Sequence, residues 1–282
     1  MISEEFLRDL EAFSLIVRKR ITSQYSGSRA SIDQGHGLTL KEYRSYTPGD
    51  DVRSIDWKVF ARSDELFVKI YEEDRDLTVH VIIDATRSMD YGSALSKYSY
   101  ASMIAAGYLF LAMRGNERFR FSFMREDLEV HPLRRGRNHF ATFVNEANEL
   151  QPSGESSISA AIESYRPLLT SKSLVIIVSD FLFEADEIER AVGQLRKHDV
   201  QLVRVLDSDE TSLPLEGDYR LQDLESGERL RTFIAPATRQ QYLDRLREHT
   251  VTISDLCASL GFGFFDVTTS EPIFDAFYRI IR

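Results

Sequence analysis

From residue 77 to the end of the sequence, strand-length apolar runs alternate with helix-length amphipathic stretches. The predicted strands are 77–83, 118–124, 173–180, 200–206 and 262–267, and the predicted helices are 95–113, 139–149, 158–168, 184–197, 236–260 and 271–281. Apolar strands that alternate with helices are typical of a parallel sheet with helices on both faces. We therefore predict an α/β fold with a doubly wound, mostly parallel sheet. In such sheets, ligands bind beyond the carboxyl ends of the strands, near a switch in strand order.

The first 75 residues follow a different pattern. Residues 6–20 have helical periodicity, with one apolar stripe formed by Phe6, Leu10, Phe13 and Val17. A Gly- and Ser-rich stretch at 22–40 is a predicted loop, a turn signal lies at Pro48-Gly49-Asp50, and residues 66–73 are a predicted strand. We predict two domains: residues 1–75, a helix plus a small β-rich unit, and residues 76–282, the α/β domain.

Composition narrows the possible partners and compartment. Of 282 residues, 43% are hydrophobic, and 35 Lys and Arg against 45 Asp and Glu give a formal net charge of -10. Such an acidic chain is a poor general binder of nucleic acid or anionic membranes. The longest uncharged apolar stretch, residues 98–113, is too short for a membrane span, and the acidic N-terminus does not resemble a signal peptide. We expect a cytoplasmic protein that neither binds nucleic acid nor spans a membrane.

Hydroxyl and carboxylate side chains stand where the predicted strands end. Asp84, Thr86 and Ser88 alternate directly after the predicted strand 77–83, and Asp180 closes the predicted strand 173–180. Ser156 and Ser157 lie in the loop before a helix. Since strands that are not consecutive along the chain can be neighbours in a doubly wound sheet, these groups are expected to converge.

Hard oxygen ligands of this kind suit Mg²⁺, Mn²⁺ or Ca²⁺. A coordination position left open could accept a carboxylate from another protein. The alternative is structural: Ser88, Ser156 or Ser157 caps a helix, and Asp180 begins a turn.

This series of residues resembles the metal-ion-dependent adhesion site of von Willebrand factor A domains, which have a Rossmann-like fold. Asp84, Thr86 and Ser88 match its D-x-S-x-S signature, and the resemblance implies metal-binding roles for Ser156 and Asp180 as well. The sequence departs from that pattern in Thr86 for Ser, Ser156 for Thr, and Phe181 where adhesion domains commonly have glycine.

A second set of residues, covering the chain from about residue 35 onward, resembles the bacterial domain-of-unknown-function family 58. The matching residues are Arg44, Tyr46, Pro48-Gly49-Asp50, Arg53, Ile55-Asp56-Trp57, Ala61-Arg62, Val68-Lys69, Ser88-Met89, Gly92, Lys97, Ser179-Asp180-Phe181 and residues 221–228. This resemblance implies a von Willebrand A-like domain and partnership with MoxR-type AAA+ ATPases in assembly or chaperone-like remodelling.

Charged and aromatic residues of the second set also have a structural interpretation. Arg44, Arg53 and Arg62 are expected to pair with nearby aspartates and to fix the small unit on the sheet domain. The sole tryptophan, Trp57, is the predicted anchor at that junction. Lys69 and Lys97 are expected to be members of ion pairs.

Several catalytic signatures are missing from the sequence. It has no P-loop motif, the glycines at 261–263 precede a strand, and none of its six histidines forms an H-E-x-x-H motif. His80 is expected to be a satisfied interior residue, and Cys257, the only cysteine, a small core hydrophobe.

The favoured hypothesis is a metal-ion-dependent protein–protein interaction module that is not an enzyme and binds a MoxR-type ATPase or its client. Two alternatives remain. One is a metal-dependent phosphohydrolase or nuclease, for which Asp90 is the only obvious additional acid near the first strand. The other is a scaffold with an empty, vestigial metal site.

Overall fold

The computed structural model describes residues 2–14, 39–72, 77–92, 95–222 and 229–281. Two compact units divide the chain, one formed by Met1–Val17 with Leu77–Arg282 and the other by Arg18–Asp76. In chain order the helices and strands are α1 (residues 4–14), β1 (Thr39–Ser45), α2 (Trp57–Ser63), β2 (Phe67–Glu72), β3 (Thr78–Asp84), α3 (Lys97–Arg114), β4 (Arg118–Met124), β5 (Leu128–Val130), α4 (Arg137–Glu149), α5 (Ile158–Tyr165), β6 (Leu174–Ser179), α6 (Ala185–Gly193), β7 (Asp199–Leu206), α7 (Ser208–Ser212), β8 (Gly217–Gln222), β9 (Arg229–Ile234), α8 (Pro236–Leu260), β10 (Gly263–Thr268) and α9 (Ile273–Ile280).

A six-stranded sheet forms the centre of the larger unit. Its strand order is β10-β7-β6-β3-β4-β5, and every pairing is parallel except that of β4 with β5. The predicted α/β class with a mostly parallel sheet is therefore confirmed. β3 pairs with β4 on one side and β6 on the other, so the strand order reverses at β3.

Helices cover both faces of this sheet. Alternate residues of β3 explain why: Val79, Val81 and Ile83 pack into a core with α1, α3, α4 and α9, whereas Ile82 packs with α5, α6 and α8 on the other face. Every residue of β3 is buried, as expected for a central parallel strand. Cys257 is a buried member of the second core, as predicted.

The N-terminal helix belongs to the larger unit, whereas the sequence analysis grouped it with the small unit at 1–75. Its apolar stripe packs on aromatic residues of α9: the ring centroids of Phe6 and Phe274 are 5.5 Å apart, and those of Phe13 and Phe277 are 5.7 Å apart. Asn148 adds two hydrogen bonds to the backbone of Ile2. A stripe of large apolar residues needs a core to cover it, and α9 provides one.

The smaller unit contains β1 and β2, which pair antiparallel, and α2 between them. Arg44 pairs with Asp50 at 2.8 Å as expected, while Asp51 and Asp56 accept backbone hydrogen bonds at helix starts. Trp57 is 59% exposed, and its ring contacts Phe60 edge-on within the smaller unit. Its predicted role as an anchor between the two units stays a prediction.

Some predictions fall on residues that the structure does not describe. These are the end of the predicted helix beyond residue 14, the loop at 22–38, the side chain of Lys69 and residues 223–228. Among the helices that are described, none is both long and apolar enough to cross a membrane.

Candidate functional site

The candidate site lies at the carboxyl ends of β3 and β6, where the strand order reverses. Such a switch point opens a crevice in doubly wound sheets, because the connections from the two strands leave in opposite directions. Asp84 is the last residue of β3, and Asp180 follows the last residue of β6. The strands that end at Asp84 and Asp180 are therefore neighbours, as predicted.

Asp84 is fully buried, and both of its carboxylate oxygens accept hydrogen bonds. Oδ1 accepts from the backbone N–H of Thr86 at 3.0 Å and from its hydroxyl at 2.6 Å. Oδ2 accepts from the hydroxyl of Ser179, the last residue of β6, at 2.6 Å. Asp84 thus joins the ends of the two central strands and fixes the orientation of the Thr86 hydroxyl.

The environment of Asp84 disfavours the charged form of its carboxyl group. Burial, and then the negative charge of Asp180, raise the pKa of Asp84 to about 6, although its hydrogen bonds with Ser179 and Thr86 act in the opposite direction. An acid with a raised pKa at a strand end is often part of a functional site, because a cation or a partner group can compensate its charge.

The hydroxyl oxygens of Thr86 and Ser88 lie 3.1 Å apart at the start of a 3₁₀ turn, Arg87–Asp90. Thr86 is buried, and Ser88 is half-buried. Asp84, Thr86 and Ser88 are therefore linked by hydrogen bonds, and we call these three residues the edge cluster.

The loop with Ser156 is fastened to the edge cluster through its backbone. The N–H of Ser153 donates to the carbonyl of Ala85, and the N–H of Arg87 donates to the carbonyl of Gly154, both at 3.0 Å. Ser156 is half-buried, and its side chain has no hydrogen bond within the part of the chain that the structure describes. The neighbouring Ser157 caps α5, which is the structural role that the sequence left open.

Asp180 has a different environment. Its Oδ2 accepts a hydrogen bond at 2.8 Å from the ammonium of Lys97, which is also bound to Glu210 at 2.7 Å. Burial alone lowers the pKa of Lys97, but the charges of Asp180 and Glu210 outweigh burial and raise it, so the ammonium stays charged. We call Lys97, Asp180 and Glu210 the ion cluster.

Two residues of this region were not predicted to belong to the site. Ser179 was named only as a match to the family, and its contact with Asp84 becomes visible once β3 and β6 lie side by side. Glu210 had a local signal: Asp207 and Glu210 form a capping box at the start of α7, a pattern visible in the sequence. Lys97 was expected in an ion pair, and this expectation is confirmed.

The edge cluster fits a small divalent cation, and Asp180 fits it less well. Two ligands in adjacent octahedral positions at about 2.1 Å from Mg²⁺ are roughly 3.0 Å apart, close to the 3.1 Å between the Thr86 and Ser88 hydroxyls. Within the described ranges, no three His, Cys, Asp or Glu residues gather as a metal site, so a cation here depends on hydroxyl ligands. One oxygen of Asp180 is already occupied by the Lys97 ammonium.

Exposed apolar side chains flank this region. Tyr91, at the end of the 3₁₀ turn, is 39% exposed, and Leu182, two residues after Asp180, is 49% exposed. The backbone N–H of Leu182 donates to Oδ1 of Asp180, which ties this apolar residue to the site. Two apolar side chains are thus exposed beside the site.

Fold and site together define an α/β protein with hydroxyl and carboxylate side chains gathered at the switch point of its sheet. The chain belongs to the family described as protein of unknown function DUF58, whose model matches residues 42–252. The family predicted from the sequence is thereby confirmed.

Relatives and solved structures are similar to this chain to different extents. An uncharacterized protein of Mycobacterium tuberculosis is 28% identical over 267 residues, covering 93% of this chain and 84% of that protein. The protein YeaD of Bacillus subtilis is 23% identical over 130 residues, 46% of this chain and 31% of its own length. An aerotolerance-related membrane protein of Bacteroides fragilis and BatB of Bacteroides thetaiotaomicron each have a TM-score of 0.45 and 15% identity over 73% of this chain, covering 98% and 95% of their own chains.

Proposed function

We propose that this protein is a non-enzymatic interaction module that binds a partner protein through a divalent cation at the carboxyl ends of its central strands. Thr86 and Ser88, with Ser156 from the adjacent loop, would hold Mg²⁺ or Mn²⁺, and Asp84 and Asp180 would supply negative charge. The observation that supports this proposal best is the separation of the Thr86 and Ser88 hydroxyls, which matches adjacent ligand positions.

The chain's own residues have distinct tasks in this proposal. Asp84 accepts a hydrogen bond from the Thr86 hydroxyl. The lone pairs of the Thr86 oxygen therefore point away from Asp84. Ser179 keeps Asp84 in place across the two strands. When bound, the cation would supply an open coordination position for a carboxylate of the partner, beside which Tyr91 and Leu182 would make apolar contacts.

Metal binding is tested by thermal unfolding with and without Mg²⁺. A ligand that binds only the folded state stabilises it, by about 2.7 kcal/mol at a concentration of 100 times Kd. We expect Mg²⁺ to raise the Tm of the wild type and to have no effect on Thr86→Val, which removes one ligand oxygen. Thr142→Val, the same change at an exposed helix position, is the matched control. A Mg²⁺ shift that persists in Thr86→Val would contradict the proposed site.

For the partner, we propose a MoxR-type AAA+ ATPase or its client, on the resemblance of the sequence to the families described above. The test is direct binding of the purified ATPase from the same organism, in Mg²⁺ and in EDTA. We expect binding in Mg²⁺ that is weakened by EDTA, by Ser88→Ala and by Leu182→Ser. Equal binding in EDTA would show that a cation does not link the two proteins.

A further inference from the structure

Lys97 occupies a position that is unfavourable for a cation on two counts. It is the first residue of α3, where the helix dipole repels positive charge, and its side chain is only 1% exposed. An ammonium is buried in such a place only when close partners compensate it. Asp180 and Glu210 do so at 2.8 and 2.7 Å.

The charges of the two clusters do not balance. Asp84, Asp180 and Glu210 supply three carboxylates, and among the described residues Lys97 is the single cation in contact with any of them. The ammonium contacts Asp180 and Glu210 but not Asp84, whose repulsion by Asp180 persists. The side of the site nearest the edge cluster therefore keeps the uncompensated charge of Asp84, whereas in the ion cluster the Lys97 ammonium offsets one of two carboxylate charges.

From this arrangement, and resting on the proposed cation site, we infer that Lys97 sets the affinity of the site for divalent cations. Its ammonium is a resident cation at Asp180: it withholds one carboxylate oxygen from an incoming metal ion and repels that ion electrostatically. The wild-type site is thus tuned to weak, exchangeable binding of a cation at the edge cluster alone.

The inference is tested by titrating the full chain with Mn²⁺ and measuring free Mn²⁺ by electron paramagnetic resonance. Lys97→Met keeps the length of the side chain and removes its charge, so we expect Mn²⁺ to bind about tenfold more tightly or better, because unit charges a few ångströms apart interact strongly in a partly buried site. Lys172→Met is the matched control, since Lys172 is an exposed lysine paired with Asp199. Its Mn²⁺ affinity is expected to equal that of the wild type.

A second variant guards against misfolding and against a general charge effect. Lys97→Met leaves Asp180 and Glu210 buried without their cation, which destabilises the fold. The double variant Lys97→Met/Glu210→Gln removes one charge of each sign, so the net charge of the ion cluster is unchanged while Asp180 is released. Tighter Mn²⁺ binding is expected in this double variant as well, with folding of each variant checked by circular dichroism.

The outcomes separate this inference from the proposed function. Tighter binding in the Lys97 variants supports the inference, whether the wild type binds Mn²⁺ weakly or not at all. If the wild type does not bind Mn²⁺, its proposed metal dependence is contradicted while the inference about Lys97 stands. Equal or weaker binding in the folded Lys97 variants, with measurable binding by the wild type, overturns the inference and leaves the proposed function standing. Absence of binding in all variants overturns both.

Discussion

At the scale of single residues, the geometry of the edge cluster depends on Asp84. Its carboxylate accepts hydrogen bonds from both Thr86 and Ser179, so it connects the two central strands of the sheet. The alternation of Asp84, Thr86 and Ser88 was sufficient to predict that they lie together. The ion pair between Asp180 and Lys97 was not predictable, because Lys97 lies 83 residues earlier in the sequence.

Asp84 also makes stability depend on pH. Its pKa is raised from 3.8 to about 6, so the folded state binds this proton more tightly than the unfolded state. The resulting contribution to stability is complete below about pH 4 and is lost as the pH rises through about 6. We predict that Asp84→Asn removes this decline when urea unfolding of both proteins is compared in metal-free buffer at pH 4.5 and pH 7. The same difference between the two pH values in both proteins would contradict the assignment.

Phe181 combines backbone strain with burial. Its φ is +49°, in the left-handed region, and its ring is fully buried in the core that faces α5 and α6. Glycine would remove a strain of about 1–2 kcal/mol, but loss of a buried phenylalanine ring costs about 3–5 kcal/mol. This balance explains how phenylalanine is tolerated at a left-handed backbone position that favours glycine.

We predict that Phe181→Gly lowers the free energy of unfolding by about 2 kcal/mol or more, measured by chemical denaturation. Asn116→Gly is the control, because Asn116 has a similar φ of +56° and an exposed side chain. Its stability is expected to be unchanged or slightly higher. A stabilised Phe181→Gly variant would mean that strain outweighs packing at this position.

At the scale of elements, hydrophobic patterning was informative for buried strands and long helices. The five apolar runs became parallel strands of the sheet, because burial on both faces requires nearly continuous apolar residues. The hairpin of β8 and β9 was missed, since half-buried and exposed residues alternate over residues 217–220 and arginines lie in both strands. β5 and α7 are too short, at three and five residues, to produce a periodic signal.

The packing of α3 on α9 depends on a glycine. A Cβ at Gly107 would lie 2.5 Å from the ring of Phe277, which is buried. Alanine favours a helix by about 1 kcal/mol over glycine, but overpacking costs about 1–3 kcal/mol. Steric conflict with three ring atoms places Gly107→Ala at the high end of that range.

We therefore predict that Gly107→Ala lowers the Tm, whereas Gly193→Ala in α6 raises it. A Cβ at Gly193 would have no heavy atom within 4 Å, so only the gain in helix propensity applies there. Thermal unfolding followed by circular dichroism compares the two variants directly. A rise in Tm for both would show that α3 and α9 can separate at no cost.

At the scale of the whole molecule, the sequence predicted where the sheet begins but not where the N-terminal helix packs. The change of pattern near residue 77 marks the start of the sheet, and the larger unit resumes at Leu77. The docking of α1 was not predictable, because an amphipathic stripe indicates that a helix needs a partner without indicating which one. The aromatic face of α9, more than 250 residues later, is that partner.

Membership of α1 in the larger unit leads to a stability prediction. Leu10 is fully buried in the core that contains α3 and α9, so Leu10→Ala is expected to destabilise the larger unit by about 2–5 kcal/mol. Leu7→Ala, at a partly buried position on the same helix, is expected to cost less. Far-UV circular dichroism follows the helices of the larger unit, and the fluorescence of Trp57 follows the smaller one. A shift seen only in the Trp57 signal would place α1 with the smaller unit.

The central claim, that hydroxyls of the edge cluster bind a divalent cation, is tested most directly by anomalous scattering from crystals of the full chain grown with Mn²⁺. We predict a Mn²⁺ peak about 2.2 Å from the hydroxyl oxygens of both Thr86 and Ser88, with Lys97 still bound to Glu210. An absent peak, or one located away from these two hydroxyls, would contradict it.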